Sequence, residues 1–297
     1  VLTVSVVIPA RDAADTIGDT LRALDRQART RALEVIVVDN GSHDDTADVA
    51  RSHGAIVLTE PKPGPSAARN RGLAAASGDV VAHCDADTVP TRQWVEAIAS
   101  PFADADVILV AGRNLSYPPR TPAERYVAAS GLIEAERAVS RPAFPFSPSM
   151  NMAVRRDVAL AVGGWAEDLR TGEDVDFSFR VCRAHGCPVA YAPDAVVLHR
   201  NRNDDAALRR QARTYGEGAA SLYRKYPEEI GWTGRMVAVL ATQLATRAAR
   251  PPVLAVARRV GLCTDEELEF ARYHRMWTWA YWRGFAGRYW GSGIRGA

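Results

Sequence analysis

No stretch of this 297-residue chain runs for about 18 apolar residues without a break, so the sequence predicts no membrane-spanning helix. Met236 to Val260 comes nearest, and Arg247, Arg250, Arg258, Arg259 and the pair Pro251-Pro252 interrupt it. Cysteine is scarce: four residues are too few for a disulfide framework in a chain this long. Cys182 and Cys187 flank His185, but one pair at that spacing, with no second Cys pair, does not make a zinc site. No Gly-x-Gly-x-x-Gly follows a strand, which excludes the dinucleotide fingerprint of an oxidoreductase. No basic segment precedes the apolar run Leu2 to Ala10, so no secretory leader is expected and the expected compartment is the cytoplasm. Net charge is also small, at +2.

That small net charge hides an asymmetry. Residues 201–297 hold 16 Lys+Arg against 9 Asp+Glu, whereas residues 1–200 hold 21 against 26. Five of the seven Trp also lie in the tail: Trp232, Trp277, Trp279, Trp282 and Trp290. Two readings are open. The tail is either a helical flank with solvated Arg and buried Trp, or a surface for an anionic partner such as phospholipid or a large acidic acceptor. Nucleic acid is disfavoured as a partner, because the basic charge sits in one Trp-rich flank without a recognition motif. The remaining composition, 47% hydrophobic and 24% charged, is that of an ordinary globular protein able to bury a sizeable core.

Along the chain, apolar β-branched runs alternate with helical patterns. Val4 to Ile8, Glu34 to Val38, Ala55 to Leu58 and Val80 to Cys84 read as buried parallel strands, with Val107 to Ala111 and Asn151 to Val154 following. Helices are expected from Asp15, from Asp44 or Asp45, from Ser66 to Ala76, from Trp94 to Ala99, from Arg156 to Val162 and from Glu173 to His185. Val189 to Tyr191 and Val196 to His199 read as two short late strands, and residues 113–150 as irregular or helical. From Asp204 the pattern is helical, with breaks expected at Pro227 and Pro251-Pro252. The alternation predicts an α/β fold with a mostly parallel sheet flanked by helices and a helical C-terminal extension.

In such sheets ligands sit beyond the carboxyl ends of the strands. Pro9-Ala10-Arg11-Asp12 follows the first strand, Asp39 the second, and Asp85-Ala86-Asp87 the fourth, while Arg69 and Asn70 lie on the helix leading into the fourth. Two carboxylates one residue apart at a strand end suit a hard divalent cation that also meets phosphate oxygens. One such motif is weak evidence; the ordered set is not explained by packing.

The set Val6-Val7-Ile8-Pro9-Ala10, Val37-Val38-Asp39-Asn40-Gly41-Ser42, Ser66-Ala67-Ala68-Arg69-Asn70-Arg71-Gly72, Gly78-Asp79 with Asp85-Ala86-Asp87, Gly163-Gly164-Trp165 and Gly172-Glu173-Asp174 resembles family 2 glycosyltransferases of the GT-A fold. The resemblance spans residues 4 to about 200. It implies a catalytic domain over 1–200, with a nucleotide-sugar half at 1–110 and an acceptor-side half at 111–200, followed by the extension 201–297. It also implies that Asp39 meets base or ribose, that Pro9, Ala10, Asp12 and Arg69 line the nucleotide, and that Asp85 reaches ribose or metal. Asp87 would ligate Mn²⁺ or Mg²⁺ with His199 as a further ligand, Asp174 would be the general base, and Glu173 would orient the acceptor.

The implied reaction is inverting transfer of a single sugar from a nucleotide-diphosphate sugar, UDP first, to an acceptor hydroxyl on a small molecule, glycan or lipid-linked compound. The Gln-x-x-Arg-Trp signature of processive relatives is only echoed by Gln211-Ala212-Arg213-Thr214-Tyr215, which favours single transfer. The alternatives are a nucleotidyltransferase of related fold, whose Gly-rich loop is missing after the first strand, and a membrane-peripheral transferase acting on a lipid-linked acceptor. Neither the acceptor nor the oligomeric state is legible.

Overall fold

The computed structural model describes residues 2–27, 33–142, 144–231 and 234–291. Its strands are β1 (Val4–Ala10), β2 (Leu33–Asp39), β3 (Ile56–Thr59), β4 (Val80–Cys84), β5 (Thr88–Pro90), β6 (Leu109–Ser116), β7 (Asn151–Arg155) and β8 (Ala190–His199). Its α-helices are α1 (Ala14–Asp25), α2 (Thr46–Ser52), α3 (Pro65–Ala75), α4 (Trp94–Ala99), α5 (Pro122–Ser130), α6 (Ala135–Val139), α7 (Arg156–Ala161), α8 (Glu173–His185), α9 (Asp205–Lys225), α10 (Gly234–Arg259) and α11 (Asp265–Tyr289).

Two compact units result, Val1–Tyr117 with Ile133–Arg200, and Pro118–Leu132 with Asn201–Ala297. This differs from the division expected at residue 200 in one piece: residues 118–132 group with the tail. The reason is aromatic packing, since Tyr126 on α5 is buried against Phe270, Tyr273 and Trp277 of α11. Trp232 lies outside the described residues.

The first unit is built on a mixed sheet in the order β3-β2-β1-β4-β7-β6-β8-β5. β3, β2, β1 and β4 are parallel neighbours, so their carboxyl ends share one edge. Both faces of the sheet are covered, which is why β1 and β4 read as continuous apolar runs rather than alternating ones. On one face Val4, Val6 and Ile8 pack with Ile17, Leu21, Leu24, Trp94 and Phe102. On the other, Val7, Ile36 and Val38 pack with Ala68, Leu73, Trp165, Phe177 and Val181. Asn151 joins the antiparallel half at its centre. Fully buried, it accepts from Trp94 Nε1 at 2.7 Å and donates to the carbonyls of Ala195 and Arg113.

Four expectations change. β6 runs on to Ser116, into residues expected to be irregular or helical. The two late strands are one, β8, because a bulge opposite Gly112/Arg113 absorbs Pro193-Asp194-Ala195 between Ala192 and Val196. β5, which the sequence did not announce, pairs antiparallel with β8 and sets Thr88 opposite His199. Helix α10 runs through Pro251-Pro252 instead of breaking there. Two N–H donors are lost, but packing against α11 supports the helix and the Pro251 ring is buried.

In the second unit α9 and α11 cross at two glycines. A Cβ on Gly216 would lie 1.9 Å from the Tyr281 carbonyl oxygen, and one on Gly284 2.1 Å from the Arg213 carbonyl oxygen. Backbone stands where a side chain would go, so the helices must separate to admit one. Gly216→Ala is therefore expected to cost about 1–3 kcal/mol through overpacking. Thermal melting checks this, and an unchanged midpoint would show that the crossing yields without penalty.

Candidate active site

The parallel edge gathers the predicted residues by register. Ala10 at the end of β1 pairs with Asp39 at the end of β2, and the Asn40 N–H donates to the Ala10 carbonyl. Asp39 Oδ1 accepts from the Ser42 N–H at 3.2 Å, which fixes the turn at Gly41. Asn40 donates to the carbonyls of Glu60 and Lys62 and accepts from the Gly64 N–H at 2.7 Å. One side chain thereby shapes the loop between β3 and α3. Asp12, in the left-handed region at φ 47°, accepts from the His43 N–H, and its own N–H donates to Ser42. Asp12 thus ties the first two loops together; Pro9 and Ala10 close the β1 end beside it.

Arg69 organises the centre. Helix α3 carries it into the interior, 3% exposed, where it donates to Asp85 Oδ1 at 3.0 Å, Glu173 Oε1 at 3.0 Å and Ser149 Oγ at 2.9 Å. Its guanidinium lies over the Trp165 ring, 4.9 Å from the centroid. Burial works against its charge, but Asp85 and then Glu173 more than offset that, and its pKa rises. Arg69 therefore stands as a bridge between two carboxylates rather than as a residue opening onto solvent.

Trp165 is the floor of this arrangement. It stacks on Phe177 with centroids 4.4 Å apart and meets His83 edge-on. The Gly163-Gly164-Trp165 turn is held from both sides. Asn70 accepts from the Trp165 N–H at 2.7 Å and donates back to its carbonyl, and Arg180 donates to the carbonyls of Val162 and Gly164. A Cβ on Gly164, at φ 67°, would meet Asn70 Oδ1 at 2.4 Å, so this position takes glycine for two reasons. His83, fully buried on β4, is pushed down to about 3 by desolvation and then by Arg69, and stays neutral.

The site has two ends. At one, the β5–β8 pairing brings His199 Nε2 to 3.7 Å from Asp87 Oδ1, and the Arg200 N–H donates to the Asp87 carbonyl. At the other, α8 opens with Glu173 and Asp174 after Gly172 in the left-handed conformation. Asp174 is partly exposed, and its carboxylate accepts from the backbone N–H groups of Val175 and Ser149. Desolvation first, then the neighbouring Glu173 charge, push its pKa up to about 7. Two contact groups result, His199–Asp87 and Asp85–Arg69–Glu173, which adjoin along the chain at Asp85-Ala86-Asp87, with Asp174 next to Glu173 and Asp39 at the end of β2.

Sequence reasoning missed Ser149 and the bracing role of Arg180. Ser149 sits in Ser147-Pro148-Ser149, two serines around a proline shortly before β7, whose first four residues are buried, which is the only signal it gives.

The profile of the family described as Glycosyl transferase family 2 matches residues 5–163. The chain is 36% identical over 236 residues to the pre-mycofactocin glycosyltransferase of Mycobacterium tuberculosis, a match covering 76% of this chain and 48% of that protein. It thus spans about half the length of that relative. Among solved structures, it resembles the mannosyltransferase PcManGT of Pyrobaculum calidifontis in complex with GDP-Man and Mn²⁺, with a TM-score of 0.67 at 20% identity over 98% of this chain and 88% of that one. It also resembles the glucosyl-3-phosphoglycerate synthase of M. tuberculosis in complex with Mn²⁺, UDP and glucosyl-3-phosphoglycerate, with a TM-score of 0.56 at 23% identity over 75% and 79% of the two chains. At these identities the structures speak to the fold, which is GT-A. With the family profile covering more than half its residues, the chain belongs to glycosyl transferase family 2.

Proposed function

We propose that this protein is a cation-dependent, inverting transferase that moves one sugar from a nucleotide-diphosphate sugar, UDP-linked by preference, to an acceptor hydroxyl. The observation that carries this reading is the pairing of Asp87 with His199 and the Asp85–Arg69–Glu173 bridge next to Asp174, with Asp85 and Asp87 following the parallel strand β4. A cation site at one end and a carboxylate of raised pKa at the other are what departure of a diphosphate and activation of a hydroxyl require.

Asp87 and His199 fit a divalent cation completed by substrate phosphates. Oxygen ligands suit Mg²⁺, and the imidazole favours Mn²⁺ alongside it. When bound, the cation would offset charge gathering on the departing diphosphate. Asp39 would hold the base or ribose, while Asn40 keeps the β3–α3 loop in shape around the nucleotide. Arg69 fixes Asp85 and Glu173 and so sets the separation of the two ends. Asp174 takes the proton of the acceptor hydroxyl as its oxygen bonds to the anomeric carbon. The bond from that carbon to the diphosphate breaks with its electron pair leaving on the phosphate oxygen. With Asp87 facing His199, and Asp85 and Glu173 engaged by Arg69, Asp174 is the carboxylate left to act as base, which supports a single displacement with inversion. UDP and Mn²⁺ in one structural neighbour, and GDP-Man with Mn²⁺ in the other, support the donor class.

Three outcomes follow. Asp87→Ala is expected to lower turnover of a sugar-nucleotide donor by about 10³-fold or more while leaving the circular dichroism spectrum intact, and chelator is expected to silence the wild type. Full turnover in excess chelator would remove the cation from the reaction.

Asp39→Ala is expected to weaken nucleoside diphosphate binding by roughly 10- to 100-fold, the worth of a hydrogen bond to a charged group. Calorimetry with UDP and GDP measures this, and unchanged affinity would take Asp39 out of the site.

Asp174 must be ionised to accept a proton, and its pKa is raised to about 7. Below that value kcat should fall about tenfold per pH unit, with a plateau above. Asp174→Asn should be about 10²–10⁴-fold slower and lose this acid limb, with donor affinity near that of the wild type. The raised pKa also means that the folded state holds this proton more tightly than the unfolded chain, so the side chain's contribution to stability falls as pH rises from about 4 to about 7 and is level above. Asp174→Asn should therefore melt no lower than the wild type at pH 8. A variant with wild-type kcat and an unchanged acid limb would exclude Asp174 as the base.

A further inference from the structure

Helix α10 is apolar on a face that nothing in its own unit covers. Val253 and Val256 are 64% and 62% exposed, and Val260 and Leu262 just beyond the helix are 66% and 78% exposed. At helical spacing these valines share one side with Ala249, Ala245, Thr242 and Ala238, all exposed and none charged. The helix contains no Asp or Glu, and Arg250 and Arg259 stand exposed at the borders of this face. A long apolar strip of this kind on an otherwise ordinary surface marks an interaction site.

Beside the strip, between α10 and α11, lies a cavity of about 260 Å³ lined by Thr246, Arg247, Arg250, Ala271 and His274. Arg247 donates to Thr278 Oγ1 at 2.7 Å, which holds its guanidinium at the cavity wall. His274 Nδ1 is 3.0 Å from the Tyr126 hydroxyl, and desolvation, then Arg247 and Arg250, keep the imidazole neutral, pushed down to about 4. The charge of the cavity is thus that of its two guanidinium groups.

The tail's Trp residues do not supply this surface. Trp277 is buried and Trp282 is half-buried against Phe285, while Trp279 on α11 and Trp290 at its end, 53% and 57% exposed, stand on a different helix from this face. Of the two sequence readings of the tail, burial accounts for Trp277 and Trp282, and the unexplained surface moves to α10.

We propose that the exposed face of α10 lies on a bilayer carrying anionic phosphate headgroups, the valine strip entering the acyl boundary and the cavity between Arg247 and Arg250 seating a headgroup phosphate. No helix among the described residues is long and apolar enough to cross a membrane, so the contact is one of lying on the surface. The choice of a bilayer over a protein partner rests on charge complementarity: a strip without a single charge, bordered by Arg alone, matches an apolar layer under an anionic one. The inference is independent of the transferase reading, because it is read by binding and not by turnover.

The test is flotation of the full chain with vesicles of phosphatidylcholine, with and without a quarter of phosphatidylglycerol, at low and high salt. Strong binding to the anionic vesicles, weakened by salt, is expected. Val253→Asp, Val256→Asp and Val260→Asp combined should lower it by about tenfold or more, since charges would enter the acyl boundary. Arg250→Gln with Arg259→Gln should lower it by about fivefold for each Arg removed and abolish the preference for phosphatidylglycerol. All five positions are exposed, so melting and nucleotide affinity should stay as in the wild type. Absence of flotation at low salt, or full flotation of the valine variant, overturns the proposal. So does a wild-type dimer in ultracentrifugation that binds no vesicles and that the valine variant converts to monomer, which would assign the face to a second copy.

Discussion

A guanidinium taken out of water must be met by charge, and Arg69 is met by two carboxylates from distant parts of the chain. Asp85 arrives at the end of β4 and Glu173 at the start of α8, and both lie 3.0 Å from Arg69 nitrogens. Such an interaction adds little net stability, because desolvation consumes most of the Coulomb gain. What it does is fix positions: losing Arg69 leaves Glu173 buried without its counter-charge, and losing either carboxylate leaves the buried guanidinium short of one, so strand end and helix start are held in one geometry. The planar fork of Arg suits this in a way that Lys would not. Trp165 beneath it, clamped by Asn70 and Arg180 through the Gly163-Gly164 turn, gives the fork a rigid floor.

The same bridge sets the electrostatics of the edge. One cation against Asp85 and Glu173 leaves a surplus negative charge beside Asp174, and that charge, added to desolvation, raises the Asp174 pKa toward neutrality. Asp87, two residues beyond Asp85, is paired instead with His199. On the proposed reading, Arg69 stands between the carboxylate that would meet the cation and the one that would take the proton. Two like groups given different environments is a recurring way for one site to perform acid-base and electrostatic work together.

Much of this was legible in the sequence because parallel strands write themselves plainly. Val4 to Ile8 and Val80 to Cys84 are apolar on both faces, and the polar residues just after them must lie at the ligand edge. The family resemblance added roles to Asp39, Asp87 and Asp174 that spacing alone does not give. β5 was hidden because three residues, Thr88–Pro90, carry no periodicity, yet that strand is what brings His199 to Asp87. Ser149 was hidden because its contact with Arg69 spans 80 positions. The grouping of residues 118–132 with the tail rests on Tyr126 packing among aromatics more than a hundred residues away, which local pattern does not reveal. Pro251-Pro252 misled for the opposite reason: a strong local rule was overridden by packing against α11.

The central claim is single displacement at an anomeric carbon with Asp174 as the base, and the stereochemistry of the product tests it most directly. Proton NMR of the glycoside formed from an α-linked sugar-nucleotide donor, recorded early enough to precede mutarotation of any free sugar, reports the anomeric configuration through its coupling constant. The account predicts a β-linked product, the inverse of the donor. An α-linked product would contradict it, since retention needs an enzyme nucleophile or a same-face attack in place of a single displacement by the acceptor oxygen.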